Sequence, residues 1–219
     1  MAETFFSAAF KKLWPHADKY IPGLTDGIIA SAPIIFPKYG LTTDLTICHF
    51  MAQASEECGC GAEMQENMNY SAGRLLQVFP THFTTSQAIE MQHNPRLIAD
   101  QAYGSRMGNH PGTDDGWNFR GQGLSQVTGR DGYAALAEKT GLDLLNHPEI
   151  IIAPATTLEC GVGDFVLCGC LPYAEKDSLI GVSSMLNVGH FVSNPNQING
   201  YSMRKNWLAL WKHEMQVAS

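Results

Sequence analysis

Residues 43–71 read TDLTICHFMAQASEECGCGAEMQENMNYS, and the order of signals in this stretch sets the class of the fold. Thr43 can accept a hydrogen bond from the backbone ahead of it, so it caps a helix running from Asp44 to about Glu57. Phe50, Ala54 and Glu57 share one stripe of that helix, so the Glu57 carboxyl leaves from an apolar face at the helix end. Burial on such a face disfavours a charged carboxylate, the setting a general acid uses. Gly59 and Gly61 then break the helix. The chain returns through Glu63, Glu66 and Asn67 to a second cap at Ser71, a turn able to bring Glu66 opposite Glu57. From spacing alone, the plainer reading is that Glu56, Glu57, Glu63 and Glu66 are solvated.

Outward from this stretch the punctuation stays helical. Ser71 caps Ala72 to Phe79, Asn94 and Pro95 open a segment to Tyr103, and Asp131 caps a short helix closed by Gly141. Pro154 opens a longer helix through Leu167, Lys176 to Leu186 forms another, and the last runs from about Tyr201 to Val217. That last helix carries Met203, Trp207, Leu210, Trp211 and Glu214 at spacings of three and four; a single aromatic-rich face of this kind is core packing rather than a membrane-seeking surface. Residues 119–128, FRGQGLSQVT, alternate weakly and form either a short ribbon or an irregular loop. Six glycines between Gly104 and Gly123 mark a long loop of the kind that carries function, with Trp117 and Phe119 placed to stack on a flat ligand such as a sugar.

The composition narrows what this helical chain can do. At 219 residues it can build one substantial core, and 44% apolar with 16% charged residues is that of an ordinary globular protein. A net charge of −7, with no cluster of Lys and Arg, argues against nucleic acid as a partner. No run approaches the roughly 20 apolar residues of a membrane span. The start, MAETFFSAAFKKLWPHADKY, is interrupted by Lys11, Lys12 and Pro15 where a signal peptide would be most apolar, so export by the usual secretory signal is not expected. Cys48, Cys58, Cys60, Cys160, Cys168 and Cys170 are accordingly expected as reduced, buried thiols. The two C-x-C pairs with His49 leave zinc as the alternative, although structural zinc prefers wider spacings.

Three separated motifs turn the reading of the glutamates. AQASEECG at 52–59 resembles the A-Q-x-x-H-E-[ST]-G helix end of glycoside hydrolase family 19, the group of plant chitinases and phage endolysins. ENMNYS at 66–71 is similar to the E-N-x-N-Y-S of its bacterial and phage branch. YGSRMGN followed by DGWNFRGQGLSQVTGRDGY, within residues 103–133, resembles its Y-x-x-R-M-G-N…G-D-G-W-x-[YF]-R-G-R-G-x-I-Q-x-T-G block. MLNVG at 185–189 with Asn199, Gly200 and Arg204 resembles the [IV]-N-G-G…N-G-x-x-x-R segment more loosely. The resemblance spans about Leu13 to Leu210 and leaves the first dozen residues unmatched.

It implies a mainly α, lysozyme-like single domain with a small β element and a glycan-binding cleft. Residue by residue, it implies Glu57 as general acid, Glu66 as the general base that activates water, and Thr128 as the hydroxyl that helps hold that water. Gln126 and Asn187 fall at sugar-binding positions, Arg204 near the floor of the site, and Tyr70 and Trp117 complete the expected glycan contacts. An inverting acid and base pair stands about 6.5–9.5 Å apart. Three departures qualify the match: Glu56 replaces the His before the acid, Gln122 the second Arg of R-G-R-G, and Gly132 a frequent Asn.

The phage-type motifs point to peptidoglycan, cut between N-acetylmuramic acid and N-acetylglucosamine, with chitin as the alternative polymer. An endolysin of this kind waits in the cytoplasm until a holin opens the membrane, whereas a toxin injected into rival bacteria uses the same domain and is neutralised by an immunity protein. An inactive glycan-binding protein is the reading from a different class, with Glu56 and Gln122 as signs of a decayed site. No cofactor or metal is implied, because two carboxylates suffice, and a monomer is expected.

Overall fold

The computed structural model describes residues 2–217. It is mainly helical, in the order α1 (Ala2–Leu13), α2 (Leu24–Lys38), α3 (Asp44–Glu57), α4 (Ala72–Val78), α5 (Thr85–Met91), α6 (Pro95–Tyr103), α7 (Asp115–Asn118), α8 (Arg130–Thr140), α9 (Thr157–Leu167), α10 (Leu171–Ala174), α11 (Leu179–Val188) and α12 (Tyr201–Glu214). Among the described residues, β pairing is confined to two isolated antiparallel bridges, Gln65 with Gln122 and Gln122 with Val127. None of these helices is long and apolar enough to cross a membrane. The chain divides into two compact units, one from the described parts of residues 1–64, 123–125 and 150–219, the other from Gln65–Gln122 and Gln126–Glu149.

The first unit is organised around α3. Thr43 caps it as its sequence predicts, accepting from the Thr46 amide at 3.2 Å while Thr46 reciprocates toward the Thr43 amide. Thr46 through Ser55 are then buried without a break, because α3 is covered on every side rather than along one stripe. The Ser55 hydroxyl ties three distant segments together. It accepts from the indoles of Trp14 and Trp211, each at 2.9 Å, and donates to the Met51 carbonyl at 2.7 Å. Phe6, Phe10, Trp14 and Trp211 pack beside this knot, so Phe6 and Phe10, in the stretch that no motif matched, belong to the core. Next to Trp211, α12 is also anchored to α3 through Asp177, which accepts from Lys212 at 2.6 Å and pairs with the buried His49 ring at 2.9 Å.

The second unit has its own core of Met68, Leu75, Phe79, Phe83, Ala88, Ile98, Ala99 and Ala102, supplied by α4, α5 and α6. Ser71, Thr84 and Asn94 cap these helices through their side chains. The glycine-rich loop is pinned rather than loose: Trp117 donates its amide to Asp100 at 2.8 Å, and buried Asp115 accepts from the His110 amide and from Arg130, with the His110 ring beside it.

Several boundaries differ from the sequence reading. α8 begins two residues early, at Arg130 after Gly129, which puts Asp131 in its first turn rather than at the cap. Pro154 lies in a turn before α9, and Gly27 of α2 packs so closely on the Pro154 carbonyl that no side chain fits there. That close packing explains a glycine in the middle of α2, a helix which Gly27, Pro33 and Pro37 conceal from a propensity reading. Segment 176–186 starts later, at Leu179, with Ser178 as its cap. In α12 the buried stripe is Arg204, Leu208, Trp211 and Met215, while Met203 and Leu210 are exposed. Phe119, offered as a sugar-stacking ring, is buried against Tyr133 at 5.0 Å and is a core residue. All six cysteines are free, and burial pushes each thiol up, most strongly at Cys58 and Cys170.

Candidate active site

The expected site residues form two groups, one in each unit. In the first unit, α3 ends at Glu57 because Gly59, Cys60 and Gly61 follow in left-handed conformations, φ +53°, +55° and +89°, that reverse the chain within three residues. The Glu57 carboxylate accepts from Arg204 Nη2 at 2.6 Å. Arg204 is 2% exposed, and its guanidinium is satisfied on three sides, with Nε to the Asn199 carbonyl at 3.0 Å and Nη1 to Gln53 Oε1 at 2.7 Å. Gln53 donates in turn to Ser183 of α11 at 3.1 Å, and Asn187 Oδ1 accepts from the Asn199 amide at 2.9 Å. Glu57, Arg204 and Asn187 are thereby joined through Gln53 and Asn199. An ion pair with a buried cation, rather than the apolar face read from the stripe, is what the Glu57 carboxyl meets.

Two further carboxyls stand near this pair. Glu56 lies against Gly200, where a Cβ would collide with its Oε1, and burial pushes its pKa up while Arg204 pulls it down and the charges of Glu57 and Glu63 raise it. Asp164 of α9 is half-buried; burial raises it to about 6, the Ser125 hydroxyl opposes that, and the charge of Glu57 adds to it. Asp164 carries no signal in the sequence, since it sits mid-helix between residues that pack the core.

In the second unit, Glu66 is held at its backbone and at both carboxyl oxygens. Its amide donates to the Gly121 carbonyl at 2.8 Å, next to the Gln65–Gln122 bridge. Oε1 accepts from the Tyr103 phenol at 2.8 Å and Oε2 from the Gly121 amide at 3.3 Å. A Cβ built on Gly121 would lie 3.1 Å from Gln126 Oε1, 3.3 Å from Thr128 Oγ1 and 3.5 Å from Glu66 Oε2, so these three side chains converge on the space above one glycine. Gln126 reaches it from a left-handed backbone, φ +56°, and Thr128 donates to the Gln126 carbonyl at 2.9 Å. Tyr70 packs edge-on against Phe79 and feels the Glu66 charge, while Trp117 has one face covered by the Arg120 guanidinium at 3.6 Å.

Gln122, the departure from R-G-R-G, has a local task here. It accepts from Gln65 at 2.8 Å and donates to the Asn118 carbonyl at 3.0 Å, fixing the strand of backbone that carries Gly121. Of the residues that the sequence reading did not single out, Gln53 and Tyr103 both lie inside the quoted motifs, and their positions there were the available signal.

No family model matches the chain. A Haemophilus influenzae protein named "glycosyl hydrolase family 19 domain-containing protein" is 33% identical over 183 residues, covering 82% of this chain and 86% of that protein. The chain belongs to glycosyl hydrolase family 19, and is a glycoside hydrolase. Its fold matches crystal structures of chitinase C: one of a mutant, at TM-score 0.60 and 16% identity over 97% of this chain and 92% of the other, and one of the Streptomyces griseus protein, at 0.58 and 16% over 96% and 91%.

Proposed function

We propose that the protein hydrolyses the glycan strand of peptidoglycan between N-acetylmuramic acid and N-acetylglucosamine, with Glu57 as general acid and Glu66 as general base in an inverting reaction. The observation that carries the base assignment is the convergence of Glu66 Oε2, Thr128 Oγ1 and Gln126 Oε1 above Gly121. A water near that point can give a proton to the carboxylate while oxygen acceptors orient it, which is what general-base activation requires. Glu57, fixed by Arg204 on a buried helix, is the other carboxylate available to protonate a leaving oxygen. The acid must hold a proton when it acts, so in this reading substrate binding loosens the Glu57–Arg204 pair. Asn187, Tyr70 and Trp117 are the proposed sugar contacts. ENMNYS and YGSRMGN favour the peptidoglycan polymer.

Chitin is the second reading, favoured by the chitinase C structures that share this fold. Purified protein incubated in parallel with sacculi and with chitin oligomers separates the two. The expected result is release of muropeptides carrying reducing-end N-acetylmuramic acid, with inverted anomeric configuration by proton NMR. Reducing N-acetylglucosamine from sacculi, or turnover of chitin alone, overturns the peptidoglycan assignment, and inertness toward both returns the chain to glycan binding without chemistry.

A further inference from the structure

A carboxylate that serves as a base must present one lone pair to its water, yet the terminal torsion of a glutamate is broad and its two oxygens are interchangeable. Something has to choose between them. We propose that Tyr103 is the positioning residue for Glu66: its phenol holds Oε1 and thereby turns Oε2 to the space above Gly121 where the attacking water is taken. This rests on Glu66 being the base.

The geometry is built for the purpose. Tyr103 is the last residue of α6, whose Ile98, Ala99 and Ala102 are fully buried in the core of the second unit. Its ring meets Phe79 edge-on at 6.0 Å and 87°, and its carbonyl accepts from the Arg106 amide at 3.0 Å and from Asn109 at 2.9 Å. The phenol is therefore delivered by packed structure rather than by a mobile loop. The bond to Oε1, at 2.8 Å, has the ordinary length of a hydroxyl hydrogen bond, whereas the 3.3 Å bond from the Gly121 amide to Oε2 is long, which leaves Oε2 the less committed oxygen. Burial, and then the Glu66 charge, push the Tyr103 phenol well up, so it remains a donor wherever Glu66 is ionised. The other groups that face this pair are the Tyr70 phenol and the Arg120 guanidinium toward Glu66, and Arg106 toward Tyr103. None of them changes charge near neutrality.

Tyr103→Phe keeps the ring and removes the donor. An ionised carboxylate that loses a hydrogen bond binds its proton more tightly, so the acid limb of the kcat/KM profile should move to higher pH by roughly half to one unit. With the carboxylate also free to turn, kcat should fall on the order of tenfold or more while KM stays within about twofold. Replacing Tyr103 by 3-fluorotyrosine, a stronger donor of the same shape, should move the limb to lower pH. Carbon-13 NMR of glutamate-labelled protein, with Glu66→Gln supplying the assignment, should show the Glu66 titration moving in the same two directions without any turnover. A loss of kcat with both the limb and the Glu66 resonance unmoved reduces Tyr103 to a packing residue and overturns the proposal, as does unchanged kcat in Tyr103→Phe. Retained activity in Glu66→Gln overturns the base assignment itself, even if the Tyr103 hydrogen bond shows in the titration.

Discussion

Glu57 and Glu66 are the same side chain in opposite surroundings. Glu57 is paired with Arg204, a cation so deeply buried that it depends on Gln53, the Asn199 carbonyl and Glu57 together for compensation. Glu66 is held by neutral donors, a phenol and an amide, at a short bridge of backbone. A buried charge deprived of its partner is costly, whereas removing one neutral donor from a carboxylate that keeps another costs less. On the roles proposed for them, chemistry and stability are coupled in the first unit and separable in the second, and substitutions can test that contrast.

The largest effects are expected at the carboxylates themselves. Glu57→Gln and Glu66→Gln should each lower turnover by roughly two or more orders of magnitude on sacculi. Added azide should partly restore Glu66→Gln, because a small nucleophile needs no base, and should leave Glu57→Gln inactive. Glu63→Gln, between them in sequence, should stay active, and the assignment fails if Glu63→Gln is dead while Glu66→Gln turns over.

The coupling itself is sharpened by Arg204→Met against Thr128→Val. Removing Arg204 strands Gln53 and Glu57 and should cost about 3 kcal/mol in urea unfolding, at the lower end of the range because Glu57 retains some solvent contact. Thr128→Val should cost at most about 1 kcal/mol yet depress kcat. Equal stability losses in the two variants would remove the contrast.

A smaller effect is expected from Gly121→Ala. The added methyl fills the space between Gln126, Thr128 and Glu66, whose side-chain ends can move apart a little, so folding should survive while kcat drops by about tenfold. Full activity would show that the space holds no reacting water.

The smallest is a pH effect at Asp164, whose carboxyl rises from 3.8 to about 6 in the folded chain. The folded state then keeps a proton that the unfolded state releases. The associated stability is complete below about pH 4 and is lost as pH rises through about 6. Asp164→Asn lacks this loss, so its Tm relative to the unsubstituted chain should climb between those limits. A Tm difference that is flat with pH would mean that Asp164 ionises freely.

Much of this was legible locally. Thr43, Ser71 and Asn94 cap the helices they announce, Gly141 closes α8 in the left-handed region, and Gly59 and Gly61 make the reversal after Glu57. Glu66, Gln126 and Thr128 were named from motifs and converge on one glycine. Other features were hidden: α1 and α2 lack clean cap and period signals, and Phe119 reads as a loop aromatic although it packs on Tyr133.

The division follows from range. Caps, turns and helix ends depend on residues within four positions of one another, so the sequence by itself determined the ends of α3, α4 and α6 to within a residue, and its motifs named the two carboxylates. The partners of those carboxylates depend on which distant surfaces meet. Arg204 on Glu57, Trp14 and Trp211 on Ser55, and Tyr103 on Glu66 are pairings across 147, 41, 156 and 37 residues. Only the tertiary structure decided them, because a side chain's partner is chosen by packing and by the demand that buried polar groups be satisfied, neither of which is written in the neighbouring residues.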